Sequence, residues 1–177
     1  MDKKVFGGLI TIGLFVALGV FIFLMTNNKI VFGYNINYQP TQPIPYSHKL
    51  HAGKLKIDCK YCHTTTGVSR HASVPSLNIC MNCHLTIKTD SPYIQKILMA
   101  YTNNEVWQWE KVHLLPDFVK FNHSAHIRAG KKCQTCHGNV QDMSVVYQKA
   151  SLAMGWCVNC HRKPENNAPT TCGTCHY

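Results

Sequence analysis

Acidic residues are scarce in this chain. Eight Asp and Glu stand against 18 Lys and Arg, for a formal net charge of +10. A surplus of that sign invites an anionic partner such as nucleic acid or an acidic membrane surface. The lysines do not form one arm, however. Lys49, Lys54, Lys56, Lys60, Lys131, Lys132 and Lys149 are spread along the sequence, which argues against nucleic-acid binding. Charge is missing altogether from Val5 to Met25. A spare cysteine is missing too, so neither a disulfide nor a free thiol is available.

All the cysteines are used in one pattern, Cys-x-x-Cys-His, repeated five times: Cys59, Cys62, His63; Cys80, Cys83, His84; Cys133, Cys136, His137; Cys157, Cys160, His161; and Cys172, Cys175, His176. This is the attachment signature of c-type haem. Two thiols at that spacing add to the two vinyl groups of one porphyrin, and the adjacent imidazole lies under the iron as its axial ligand. Zinc knuckles take their pairs two at a time, and five pairs do not divide evenly. Neither zinc nor redox-disulfide chemistry requires a His after every second Cys. Five covalently attached haem c groups are expected. Their ten propionates, two on each haem, would roughly balance the basic surplus.

The uncharged stretch is long enough for a membrane span, since about 20 apolar residues cross a ~30 Å hydrocarbon core. Lys3 and Lys4 precede it, which favours an N-terminus on the cytoplasmic side. A cleaved secretory signal is the alternative, but the apolar run is longer than a signal core and no small-x-small site follows it. Either way the rest of the chain is sent outward, where haem c attachment takes place. The expected scheme is an anchor helix at 1–29, a tether at 30–46 stiffened by Pro40, Pro43 and Pro45, and a haem domain at 47–177.

Roughly 148 residues then surround five macrocycles, about thirty for each. That is too little chain for an ordinary apolar core, so the expected fold is a loop-rich, mainly α jacket around haem, with little strand. An internal duplication is visible at 47–84 and 121–161. Ser47, His48 and His51 precede the first two motifs, and Asn122, His123 and His126 precede the third and fourth. The fifth motif, at 172–176, is an addition. Pro92 to Tyr101 reads as a helix with Ser91 as N-cap and an apolar face of Ile94, Ile97, Leu98 and Tyr101. Trp107 and Trp109 are expected to pack.

Six histidines lie outside the motifs. His48/His51 and His123/His126 are each three apart, so on a helical turn both rings share a face. Two imidazoles on one face cannot reach one iron from opposite sides, so each pair should serve two neighbouring haems. Four such ligands for five irons leave one position to fill. His113 is the first choice and Met154 the second, whereas His71 reads as a surface residue. Iron filled on both faces points to electron transfer, with no catalytic residue on the iron.

The stretches YSHKLHAGKLKIDCKYCH, VPSLNICMNCH, VHLLPDFVKFNHSAH, CQTCHG and MGWCVNCHR resemble the membrane-anchored pentahaem cytochrome subunit of bacterial alternative complex III. More distantly they are similar to multihaem subunits of quinone-linked complexes of the molybdopterin type. Many relatives are expected to continue beyond the fifth motif. Pentahaem nitrite reductases share the haem number, but their catalytic motif ends in Lys and none occurs here. The resemblance implies a subunit fed by an iron–sulfur partner that drains a menaquinol site in an integral membrane subunit. Its acceptor would be a monohaem cytochrome c or a terminal oxidase. The alternatives are a single-helix quinol dehydrogenase of the NapC type, acting directly on membrane quinol, and an autonomous redox enzyme with a vacant iron.

Overall fold

A computed structural model of the chain describes residues 3–26 and 35–177. They fall into two units, Met1–Asn35 and Ile36–Tyr177. In the first, helix α1 runs over Lys3–Thr26, about 36 Å at 1.5 Å per residue. Its stretch Val5–Met25 has a mean hydropathy of 2.6. Large apolar side chains such as Leu9, Ile12, Phe15, Leu18 and Ile22 are exposed around its circumference. A helix apolar on every side has no polar face to turn to water, and this one is long and apolar enough to cross a membrane.

The second unit is mainly helical, with no strand among the described residues. Its helices are short: α2 (Cys59–Cys62), α3 (Leu77–His84), α4 (Pro92–Thr102), α5 (His123–Arg128), α6 (Cys133–His137) and α7 (Met154–His161). A six-residue π-helical turn covers Lys49–Lys54, and single 3-10 turns cover Val140–Asp142 and Cys172–Thr174. All five Cys-x-x-Cys-His motifs thus begin in, or end in, a helical turn. Helix α4 starts where the sequence places it, with Ser91 as N-cap and Pro92 at its first position. Pro is suited to that position because its missing N–H would have no partner there.

Apolar burial is thin, as the ratio of chain to cofactor predicts. Ile44, Leu77, Met81, Ile97 and Ala100 form the buried cluster, with Trp107 and Trp109 packed against it. Apart from it, Met143 is the buried apolar side chain among the described residues. Helix α3 packs on α4 through this cluster. Helix α7, the counterpart of α3 in the second half, buries no residue.

The proline-bearing segment departs from its expected role as a spacer. Residues 30–34 of it lie outside the described residues, but from Ile36 onward it is part of the second unit. Ile44 enters the core, and the Asn37 N–H donates to the Gln148 carbonyl at 2.8 Å. The Gln42 amide donates to the Glu110 carbonyl and accepts from the Glu110 N–H, at 2.9 and 3.1 Å. Stiff local composition says nothing about the partners a single buried isoleucine finds far along the chain.

Candidate haem-binding site

Each duplicated half opens with the same short device. Ser47 accepts the Leu50 N–H through its hydroxyl at 3.2 Å, and Asn122 accepts the Ala125 N–H through its side chain at 3.3 Å. Both polar groups cap a turn that would otherwise leave N–H groups unpaired. The residue before each cap is aromatic. Tyr46 stacks on His51 (ring centres 4.5 Å, 22°) and meets His48 edge-on (4.9 Å, 87°). Phe121 does the same with His126 (4.4 Å, 28°) and His123 (4.7 Å, 88°). These two aromatics were not singled out in the sequence. The signal was present, because both stand immediately before the cap of a repeated element.

The halves also interlock. The Lys49 N–H donates to the Met143 carbonyl at 2.9 Å, and the Ser124 N–H donates to the Ser69 carbonyl at 3.1 Å. Met143 lies six residues past His137, and Ser69 six residues past His63. Each paired-His turn therefore docks on the loop that follows the first haem motif of the other half. Two glycines permit the fit. A Cβ on Gly53 would overlap the Gln141 carbonyl oxygen. Gly138 follows His137 at φ +71°, where a side chain would be strained and would press on Lys149.

Four imidazole pairs result, each joining a motif histidine to a turn histidine. His48 faces His63 at 6.5 Å between ring centres, and His51 faces His84 at 6.2 Å. His123 faces His137 at 6.4 Å, and His126 faces His161 at 5.9 Å. Two imidazoles bonded to one metal through nitrogen, at about 2 Å each, stand roughly 6 Å apart between ring centres. The first site of each half has nearly parallel rings (1° and 5°), and the second has inclined rings (65° and 48°).

Tautomers agree with that use. Nδ1 of His51, His63, His84, His123, His126, His161 and His176 lies 2.7 to 3.1 Å from a backbone carbonyl. A carbonyl only accepts, so Nδ1 carries the proton and the Nε2 lone pair is left for a metal. Burial keeps two of the paired rings neutral. It lowers the His48 pKa to about 4, with help from His63 and His51. It lowers His137 to about 4 as well, helped by His113, His123 and His63.

The haem fits these residues better than a bare ion does. Two imidazoles converge at each site, and no group of three or more His, Cys, Asp or Glu among the described residues could hold a metal ion. A tetrahedral ion needs four protein ligands, whereas a porphyrin brings four in-plane nitrogens of its own. Among the described residues, four buried donors have no hydrogen-bond partner: His48 Nδ1, Arg70 Nε, Trp107 Nε1 and Trp109 Nε1. Leaving a buried donor unpaired is costly, and haem propionates are acceptors of the kind these groups need.

Neighbouring thiols show which motifs lie side by side. Burial raises the Cys62 thiol pKa, and neighbouring Cys83 adds to the shift. Burial does the same to Cys59, whose next-largest influence is Cys133. For Cys136 the neighbours after burial are Cys160 and Cys157, and for Cys157 the first is Cys175. The first motif thus adjoins the second and the third, the fourth adjoins the third and the fifth, and the halves meet through their first motifs.

Of the residues weighed for the fifth iron, His113 lies beside the third motif, Met154 is exposed, and His71 is at the surface as its sequence suggests. His113 Nε2 lies 3.2 Å from Nδ1 of His137, in the third motif. Met154 is 71% exposed at the start of α7. His176 donates through Nδ1 to the Phe118 carbonyl at 3.0 Å and has the Phe118 ring beside it.

Comparison with known proteins agrees with this geometry. Residues 119–177 match the family of cytochrome c7 and related cytochrome c. The chain is also similar to the multihaem cytochrome c subunit of menaquinone reductase from Nitratidesulfovibrio vulgaris, with 28% identity over 164 residues, covering 78% of each protein. With its repeated attachment motifs, short helices and single N-terminal apolar helix, the chain is a multihaem cytochrome c, homologous to a subunit of a quinone reductase.

Proposed function

We propose that this chain is the membrane-anchored, electron-conducting subunit of a respiratory quinol-oxidising complex of the alternative complex III type, carrying five haem c groups. The observation that carries the reading is the set of four imidazole pairs 5.9 to 6.5 Å apart, each spanning one motif and one repeated turn. Each haem, when bound, supplies one-electron Fe(III)/Fe(II) chemistry. The protein's own residues do the rest. Ten cysteines fix the porphyrins covalently, and His63, His84, His137, His161 and His176 serve as proximal ligands. His48, His51, His123 and His126 close the opposite faces of four irons, and carbonyls hold their tautomers. The four sites closed on both faces leave no position for a substrate, so their role is conduction and not catalysis on iron.

The menaquinone reductase relative and the apolar helix support partners in a membrane complex, and the resemblance to alternative complex III supplies which ones. Electrons come from an iron–sulfur subunit that drains a quinol site in an integral membrane subunit, and leave to a monohaem cytochrome c or a terminal oxidase. Val5–Met25 anchors the chain in the inner membrane of a bacterium, with Lys3 and Lys4 on the cytoplasmic side and the haem unit on the periplasmic side. A pyridine haemochrome assay on the full chain in mild detergent should return five covalent haems per polypeptide. Iron–sulfur and quinol-binding subunits should travel with it. A count of two or fewer, or a chain that purifies alone from its native membrane, overturns the proposal.

A further inference from the structure

We infer that His113 is a positioning residue of the third haem site, whose Nε2 accepts the Nδ1 proton of His137 and holds that axial imidazole. The inference rests on the haem reading above. Seven of the other motif and turn histidines give their Nδ1 proton to a backbone carbonyl, and His48 Nδ1 has no hydrogen-bond partner among the described residues. His137 alone turns Nδ1 toward a second imidazole, at 3.2 Å, with the rings 4.4 Å apart and nearly perpendicular. His137 also lies parallel to His123, at 6.4 Å. Of these two neighbours, His123 stands at the spacing that suits a metal between the rings, and His113 is too close for one.

The direction of the hydrogen bond follows from coordination. Metal on Nε2 of His137 leaves its proton on Nδ1, so His113 Nε2 must be the acceptor. A ring nitrogen is a stronger base than a peptide carbonyl oxygen. A hydrogen bond to it makes the ligand imidazole more electron-donating and fixes its orientation. Greater donation favours the ferric state, so this contact lowers the potential of the third haem relative to a carbonyl-bonded one. The site lies at the junction of the two halves, where Cys59 and Cys133 adjoin. A local change in potential there acts on the middle of the row of motifs.

The test uses the full chain in detergent, with haem counted by pyridine haemochrome and midpoints read by spectroelectrochemical titration. His113→Phe keeps a ring and removes the acceptor, His113→Ala removes both, and His113→Gln restores a carbonyl acceptor. The Phe and Ala variants should retain every haem as low-spin and shift one midpoint upward. His113→Gln should bring that midpoint most of the way back. Unchanged titration curves in both the Phe and Ala variants overturn the inference. So does one haem turning high-spin and binding carbon monoxide, because His113 would then be an iron ligand itself. If the variants fail to load, the reduced diamagnetic wild type decides: ¹⁵N-histidine NMR should show scalar coupling across the His137–His113 hydrogen bond, and its absence sinks the assignment. A wild-type chain without covalent haem would instead defeat the functional reading, which the haemochrome assay detects separately.

Discussion

The halves at 47–84 and 121–161 agree wherever a ligand is held and differ wherever it is surrounded. Both stack an aromatic ring on the second turn histidine, cap the turn from the preceding polar residue, and dock it six residues past the partner motif. Beyond that they diverge. His63 gives its proton to the Ser73 carbonyl and His137 gives its proton to His113. His123 Nδ1 is bonded to the Arg70 carbonyl, while His48 Nδ1 lacks a hydrogen-bond partner among the described residues. Helix α3 is packed against α4, and α7 buries nothing. The pairing of imidazoles is thus a property of the repeat, and the surroundings of each pair are a property of its place.

Equivalent ligands should therefore fail equivalently. His51→Ala and His126→Ala each open one second-motif site. Each variant should show one high-spin haem that binds carbon monoxide, the other haems keeping their spectra in the difference spectrum. Unequal outcomes would break the equivalence of the halves. Gly53→Ala strikes the interlock instead, by forcing a methyl group onto the Gln141 carbonyl. Overpacking of this sort costs about 1–3 kcal/mol, visible as a lower Tm. Gly67→Ala, with nothing within 4 Å, should leave the Tm nearly unchanged.

The aromatic clamp gives a finer comparison. Tyr46→Leu and Phe121→Leu each remove a ring-on-ring contact worth about 0.5–1.5 kcal/mol, in addition to lost burial, and should broaden the haem spectrum of their own half. Tyr46→Phe, which only makes the first half like the second, should be close to silent in thermal melts. The smallest signal needs no substitution. Parallel axial rings split the iron d orbitals more than crossed rings do. Electron paramagnetic resonance of the oxidised protein should hence show two low-spin classes, rhombic for the first and third sites and strongly anisotropic for the second and fourth. A single class would contradict the ring angles of 1° and 5° against 65° and 48°.

Much of this was readable from residue order alone, for local reasons. Covalent attachment demands a fixed spacing, so the motifs declare themselves. A helical turn puts residues three apart on one face, so the paired histidines do too. Helix α4 carries its own start signal in Ser91-Pro92 and its periodic face in Ile94, Ile97 and Leu98. The unread parts are long-range. Nothing near His113 says that His137, 24 residues on, will meet it. Nothing near Ser69 or Met143 marks them as docking sites for the opposite half. Ile44 sits between two prolines that speak of a spacer, and only the folded core reveals otherwise.

The reciprocal docking has a consequence for the independence of the parts. A lone half would leave its histidine turn without the carbonyl that receives it, and its own loop without a guest. Two identical halves would supply each other's missing contacts through a two-fold axis. The contacts that join the two halves are thus of the reciprocal kind that joins the partners of a symmetric dimer.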